Sequence, residues 1–318
     1  MNPPASDLSD LDVDRTAVIV GVDGSEAAAD AARAAAVEAV ARHAPLTLIQ
    51  AFDWPADGVE GLPTGVDGRA IARRSAAREL EQLAAALTVR LPTCTVRTEL
   101  VDGSPVDVLC ARSARAALLV VGAHGQTWSS GTTLGSVASA VARGSACPVF
   151  LHRSVDLLGI RRSGVTVGID GGPGSREVLA AAALEARLRG TSLTVAHAWR
   201  QLTEDAARPI RWLLDPETTA VSETAVVEGL AAELRLAQPE LLLDAVLLAG
   251  RAGPALVDAG DAAALLVIGR PATPGGDGPR ATTHEVSHRA RVPVLLVPLP
   301  AVDHTDPVTN QPVLAARL

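Results

Sequence analysis

Short apolar runs alternate with longer stretches in which apolar residues return every three or four positions, and this alternation covers nearly the whole chain. A continuous apolar run of about four to eight residues reads as a strand, and a period near 3.6 reads as a helix. Through the first half the pattern predicts strands over Ala17–Val22, Leu46–Phe52, Val96–Leu100, Ala117–Val121 and Val149–His152. Helices are predicted between them over Glu26–Arg42, Gly68–Leu87, Ser104–Arg112 and Ser136–Arg143, the second following a Gly/Pro-rich loop. Ala117–Val121 and, in the second half, Leu265–Ile268 are apolar at every position, as expected of a strand covered on both faces. This alternation implies an α/β fold with a mostly parallel sheet and helices on both sides. Right-handed crossovers restrict its topology further.

The pattern repeats. "TAVIVGVDGSEAAADAARAAA" (Thr16–Ala36) is echoed by "GVTVGIDGGPGSREVLAAAALEA" (Gly164–Ala186). Asp23 and Asp170, Ala51 and Ala198, Gly103 and Gly250, and Gly122 and Gly269 are each 147 positions apart. "ACPVFLHR" and "RVPVLLVP" close the two halves, with Pro148 and Pro293 separated by 145, so the second copy is two residues shorter after Gly269. The chain of 318 residues therefore reads as two tandem doubly wound domains, 1–155 and 156–318. Ser154–Ser163 would link them, and a polar tail would follow Pro300.

Composition narrows the picture. Aromatic residues are scarce and tyrosine is absent, so the core must be built from Ala, Val and Leu. The longest apolar runs, such as Ala116–Val121 and Leu241–Leu243, are too short to span a bilayer. The acidic start "MNPPASDLSDLDVDR" lacks the order of a signal peptide. Cys94, Cys110 and Cys147 are odd in number and show no CxxC spacing, which points to a reducing, cytoplasmic setting. Cys147 precedes an apolar strand and reads as a small core residue. A formal charge of −8, with no cluster of basic residues, argues against a nucleic-acid partner.

The stretch "VVGAHGQTWSSGTTLGSVASAV" (Val120–Val141) carries the candidate chemistry. In an open α/β sheet, ligands sit at the carboxyl ends of the strands, where the strand order reverses. Asp23 ends the first strand and Gly122 the fourth. Glycine lets a ligand approach the backbone closely. Gly135, Ser136 and Val137 would present amides at a helix N-terminus, a ready anion site, and Ser136 and Thr133 could add hydroxyl donors. A carboxylate at Asp23 suits a ribose hydroxyl or a base amino group better than phosphate. Together these groups describe a nucleotide. Asp23 could equally cap the following helix. His124 reads as a lining residue rather than a catalyst, and Trp128 fits either a lid or an interface. Neither GxxxxGK[ST] nor a GxGxxG after the first strand occurs, so the P-loop and dinucleotide patterns are excluded.

G-x2-G-x9-G-[ST] from Gly122, the Asp ending the first strand and the terminal C-P-V strand resemble the ATP-binding universal stress proteins. The resemblance covers both halves. It implies five strands per domain in the order 3-2-1-4-5, and pairing through the last strand. It also implies that Val22, Asp23 and Ala51 surround adenine and ribose. Gly122, His124 and Gly125 would line ribose and phosphates, and Gly135, Ser136 and Val137 would bind phosphates. Residues 126–134 contain no basic side chain, so triphosphate charge would fall to amides, hydroxyls and a divalent ion such as Mg2+; AMP or another adenine nucleotide also fits.

In the second half the loop reads "RPATPGGDGPRATTHEV". Ala272 stands where the second glycine belongs, and Thr282 and Thr283 replace the Gly-Ser pair, so this copy is expected to be degenerate. "HEVSH" (His284–His288) matches the HExxH zinc motif. A catalytic zinc needs a third protein ligand, and only Asp303, His304 and Asp306 follow in the tail. Aligned from the Val-Pro-Val strand, His284 and His288 match Ser139 and Arg143 and are expected to face outward. The reading is thus a stress-response regulator that senses an adenine nucleotide in its first domain, with hydrolysis at most slow because no nucleophile–base pair appears. Two rivals are an interaction module with a lapsed site and an adenine nucleotide α-hydrolase. "GVDGSE" lacks the SGGxDS-like loop of the latter.

Overall fold

A computed structural model describes residues 17–55, 66–124, 134–153, 162–199, 216–271 and 280–299. Gly125, Trp128, Thr133, most of the linker and the C-terminal tail lie outside the described residues. The first half runs β1 (Val18–Val22), α1 (Glu26–Ala41), β2 (Leu46–Phe52), α2 (Gly68–Arg90), β3 (Val96–Asp102), α3 (Pro105–Ser113), β4 (Leu118–Gly122), α4 (Ser136–Gly144) and β5 (Val149–His152). The second half runs β6 (Val165–Ile169), α5 (Ser175–Arg189), β7 (Leu193–Trp199), α6 (Pro216–Ala237), β8 (Leu243–Ala249), α7 (Ala252–Gly260), β9 (Leu265–Arg270), α8 (Arg280–Arg289) and β10 (Val294–Pro298).

Local chemistry sets the helix ends. The Ser25 hydroxyl accepts the Ala28 amide at 3.1 Å and caps α1. Ser104 caps α3 in the same way, with Pro105 in the first turn, where its missing N–H costs nothing. α5 stops at Gly190, whose φ of 58° is the left-handed conformation that glycine adopts cheaply. Along α1 the buried positions include Ala28, Ala31, Ala32, Ala35, Ala36 and Ala39, and such small side chains let the helix lie close on the sheet.

All ten strands form one sheet, in the order β3-β2-β1-β4-β5-β10-β9-β6-β7-β8. Within each half the strands are parallel and follow the order 3-2-1-4-5. β5 and β10 meet antiparallel, with Leu295 opposite Phe150, Val294 opposite Leu151 and Leu296 opposite Val149. Neither terminal strand is left as an open edge. The core lies in two layers, one on each face of the sheet, and each layer draws residues from both halves. Leu151, Leu265, Leu266, Leu295 and Leu296 are fully buried there, and each such burial stabilises by about 1.5–3 kcal/mol.

On one face of the seam, α1 and α5 bring together Glu38, Arg42, Glu185 and Arg189. Arg42 pairs with both glutamates, and so does Arg189. Glu38 and Glu185 are buried. No described helix is long and apolar enough to cross a membrane.

Candidate functional site

β1 and β4 are parallel neighbours, with Val18, Ile19 and Val20 beside Leu118, Leu119 and Val120. Their carboxyl ends therefore open side by side. A pocket of about 270 Å³ lies there, lined by Val22, Asp23, Ala51, Gly122, His124, Gly135, Ser136 and Val137 among others. Every expected site residue among the described ones lines this pocket; Gly125 falls outside them. The volume is near the lower end of ligand pockets, about 300 to 1,000 Å³.

Ile49, Pro105 and Leu109 supply an apolar wall that the motif reading missed. Pro105 opens the helix after the third strand, at the same sheet edge as Asp23, and its position there was the available signal. Two glycines are needed for packing. A Cβ on Gly21 would lie 2.7 Å from Leu109 Cδ1, and one on Gly122 would lie 3.2 Å from the His124 carbonyl oxygen and 3.4 Å from that of Ala27. At these points the strands pass close to α3 and α1, and an added side chain would have to displace Leu109 or press on backbone.

The Asp23 carboxylate is exposed at the mouth, where Oδ1 accepts the Ser25 amide at 3.0 Å. Ser25, not Asp23, caps α1. At the other end α4 begins behind Gly135. The expectation of three available amides needs one correction: the Gly135 N–H donates to the Ala123 carbonyl at 2.8 Å, which ties the loop exit to β4. The Ser136, Val137 and Ala138 amides have no acceptor among the described residues, as the first turn of a helix dictates. Burial, then the Arg153 charge, lowers the His124 pKa, so the ring is neutral at neutral pH.

The corresponding crevice of the second half is about 90 Å³. Leu299 narrows it: its Cδ2 would lie 2.8 Å from a Cβ on Gly174 and 3.1 Å from one on Gly269. Thr283, in place of the first-half serine, donates its hydroxyl to the Gly269 carbonyl at 3.1 Å. Asp170 accepts the Gly172 amide and the Ser175 hydroxyl.

The histidines of HEVSH stack on each other, with ring centroids 4.1 Å apart. His284 is exposed as expected, but His288 is not turned outward. Its Nδ1 accepts the Leu134 amide of the first half at 3.3 Å, because the continuous sheet sets α8 facing α4. Glu285 pairs instead with Arg251 and Arg289. Among the described residues no group of three or more His, Cys, Asp or Glu could hold a metal ion.

The universal stress protein family matches twice, over residues 15–153 and 163–298. The chain belongs to the universal stress protein family. Universal stress protein Rv2623 of Mycobacterium tuberculosis is 32% identical over 291 residues, which cover 88% of this chain and 95% of that protein. A universal stress protein from Archaeoglobus fulgidus shares the fold at a TM-score of 0.63 and 15% identity, over 90% of this chain and 97% of its own. A shorter universal stress protein, solved in complex with cAMP, aligns over 96% of its chain with 43% of this one, at 31% identity and a TM-score of 0.32; the ligand is a property of that protein.

Proposed function

We propose that the chain binds one adenine nucleotide in its first domain, residues 1–155, and works as a nucleotide-responsive stress regulator, with residues 156–318 as a structural partner docked through β5 and β10. The observation that carries this reading is the contrast between the two crevices. The first joins a carboxylate, an apolar wall and helix amides with no acceptor among the described residues around about 270 Å³, whereas Leu299 narrows the second to about 90 Å³. The apolar wall of Ile49, Pro105 and Leu109 suits a base. Asp23 suits a ribose hydroxyl, and the Ser136, Val137 and Ala138 amides suit phosphate. Asp23 is the one carboxylate lining the pocket among the described residues, so a divalent ion would be held mainly by the nucleotide's own phosphates. His124, neutral at neutral pH, adds no charge toward them. Calorimetric titration of the whole chain with ATP and Mg2+ tests the reading. One site per chain is expected; a stoichiometry near two, or no heat with ATP, ADP or AMP, would overturn it.

A further inference from the structure

On the face of the sheet opposite the α1–α5 contact, α4 and α8 flank a second cleft, of about 310 Å³, at the seam between the halves. Its lining is mostly apolar and includes Leu134, Ala142 and Pro271. Its charged groups are of one sign. Arg143 and Arg270 line it beside the rings of His284 and His288 and the hydroxyl residues Ser139, Thr283 and Ser287, and Arg153 donates to the carbonyl of Ser287 in its wall. Arg270 is held by the Arg143 and Ser145 carbonyls. Arg270 and Arg153 are only 4% and 6% exposed. Among the described residues neither of them, nor Arg143, has a carboxylate within ion-pair distance, and the Nε atoms of Arg153 and Arg270 have no hydrogen-bond partner. Burial lowers both pKa values, that of Arg153 to about 10, so both groups stay charged at neutral pH.

A buried charge without a counter-ion is costly unless something neutralises it. Here two guanidinium groups line one apolar cleft and a third is bonded to its wall, in a chain whose formal charge is −8. We propose that this cleft is a binding site, separate from the Asp23 pocket, for a small amphipathic anion: an apolar body bearing a carboxylate, sulfonate or phosphate. The apolar lining takes the body and the guanidinium groups take the charge. The site does not depend on nucleotide binding.

8-Anilino-1-naphthalenesulfonate has this chemistry and reports its own burial by fluorescence. Titrated into the whole chain, it is expected to saturate one site, including in the presence of excess ATP. Arg143 is exposed, so Arg143→Glu should leave the thermal melt unchanged while raising the dye's Kd by about tenfold. Arg33→Glu, an equal change of charge at an exposed position on α1, should leave the Kd unchanged. Equal affinity in wild type and Arg143→Glu would overturn the proposal. So would equal weakening by both variants, displacement of the dye by ATP, or binding that does not saturate.

Discussion

At Gly135 the backbone has φ −61° and ψ 156°, a conformation open to any L-residue. Gly122 is different, because any side chain there presses on the backbone oxygens of His124 and Ala27. The two glycines of one motif thus differ: Gly122 lets β4 pass close to α1, whereas at Gly135 the backbone itself does not require glycine, and on the proposed reading its role is to leave room at the first turn of α4. Gly135→Val should therefore preserve the fold and place a branched side chain where phosphate would approach. We expect an unchanged melting temperature and a loss of ATP affinity of at least about tenfold, about 1.4 kcal/mol, by calorimetry. Intact affinity would mean that the phosphates lie elsewhere. The spacing of Asp23, Gly122 and Gly135 was legible in the sequence because it follows from strand ends and a helix start. That the Gly135 amide is already spent on Ala123 was not, because a backbone hydrogen bond across a loop leaves no mark on side-chain pattern.

Elements were the most legible level, since their burial periodicity is written in residue type. β2 and β5 span Leu46–Phe52 and Val149–His152, as the pattern predicts. β3 runs two residues past its predicted end, through Val101 and Asp102, where the ladder to Ala51 and Phe52 continues. Backbone pairing carries the strand one residue past its last apolar position, Val101, to the polar Asp102. The same backbone logic makes β10 the most sensitive strand. It pairs with β9 on one side and with β5 on the other, and Leu295 is 2% exposed between Val267 and Phe150. Proline there removes a ladder donor and does not fit a central strand. Leu295→Pro should cost about 3 kcal/mol or more, and should lower the melting of both halves together, read by hydrogen exchange on β4 and β9. Exchange that rises in β9 alone would show that the seam carries little of the stability.

Across the whole molecule, the seam is held by a charge network with internal symmetry. Glu38 and Glu185 are 147 positions apart, and so are Arg42 and Arg189, so the same two residues of each repeat meet at the junction. The repeat offset carried this signal, but only the order of strands reveals that the two copies face each other. Each arginine pairs with both glutamates, and both glutamates are buried. Removing one arginine leaves two buried carboxylates sharing a single counter-charge, and breaking a buried pair in this way costs about 3–5 kcal/mol. Arg189→Met keeps the volume of the side chain and should show that loss in urea unfolding at neutral pH. The pH dependence has a definite sign. Burial, then repulsion from Glu38, raises the Glu185 pKa above its ordinary value. A carboxyl whose folded-state pKa is raised binds its proton more tightly in the folded chain, so its stabilising contribution is complete in acid and is lost as pH rises through that pKa. The Arg189→Met deficit should therefore shrink on going from about pH 7 to about pH 5. Adding Glu185→Gln should recover most of it at neutral pH and flatten the dependence. A deficit that grows in acid, or one that Glu185→Gln leaves untouched, would place the coupling between the halves in the β5–β10 ladder rather than in these four side chains.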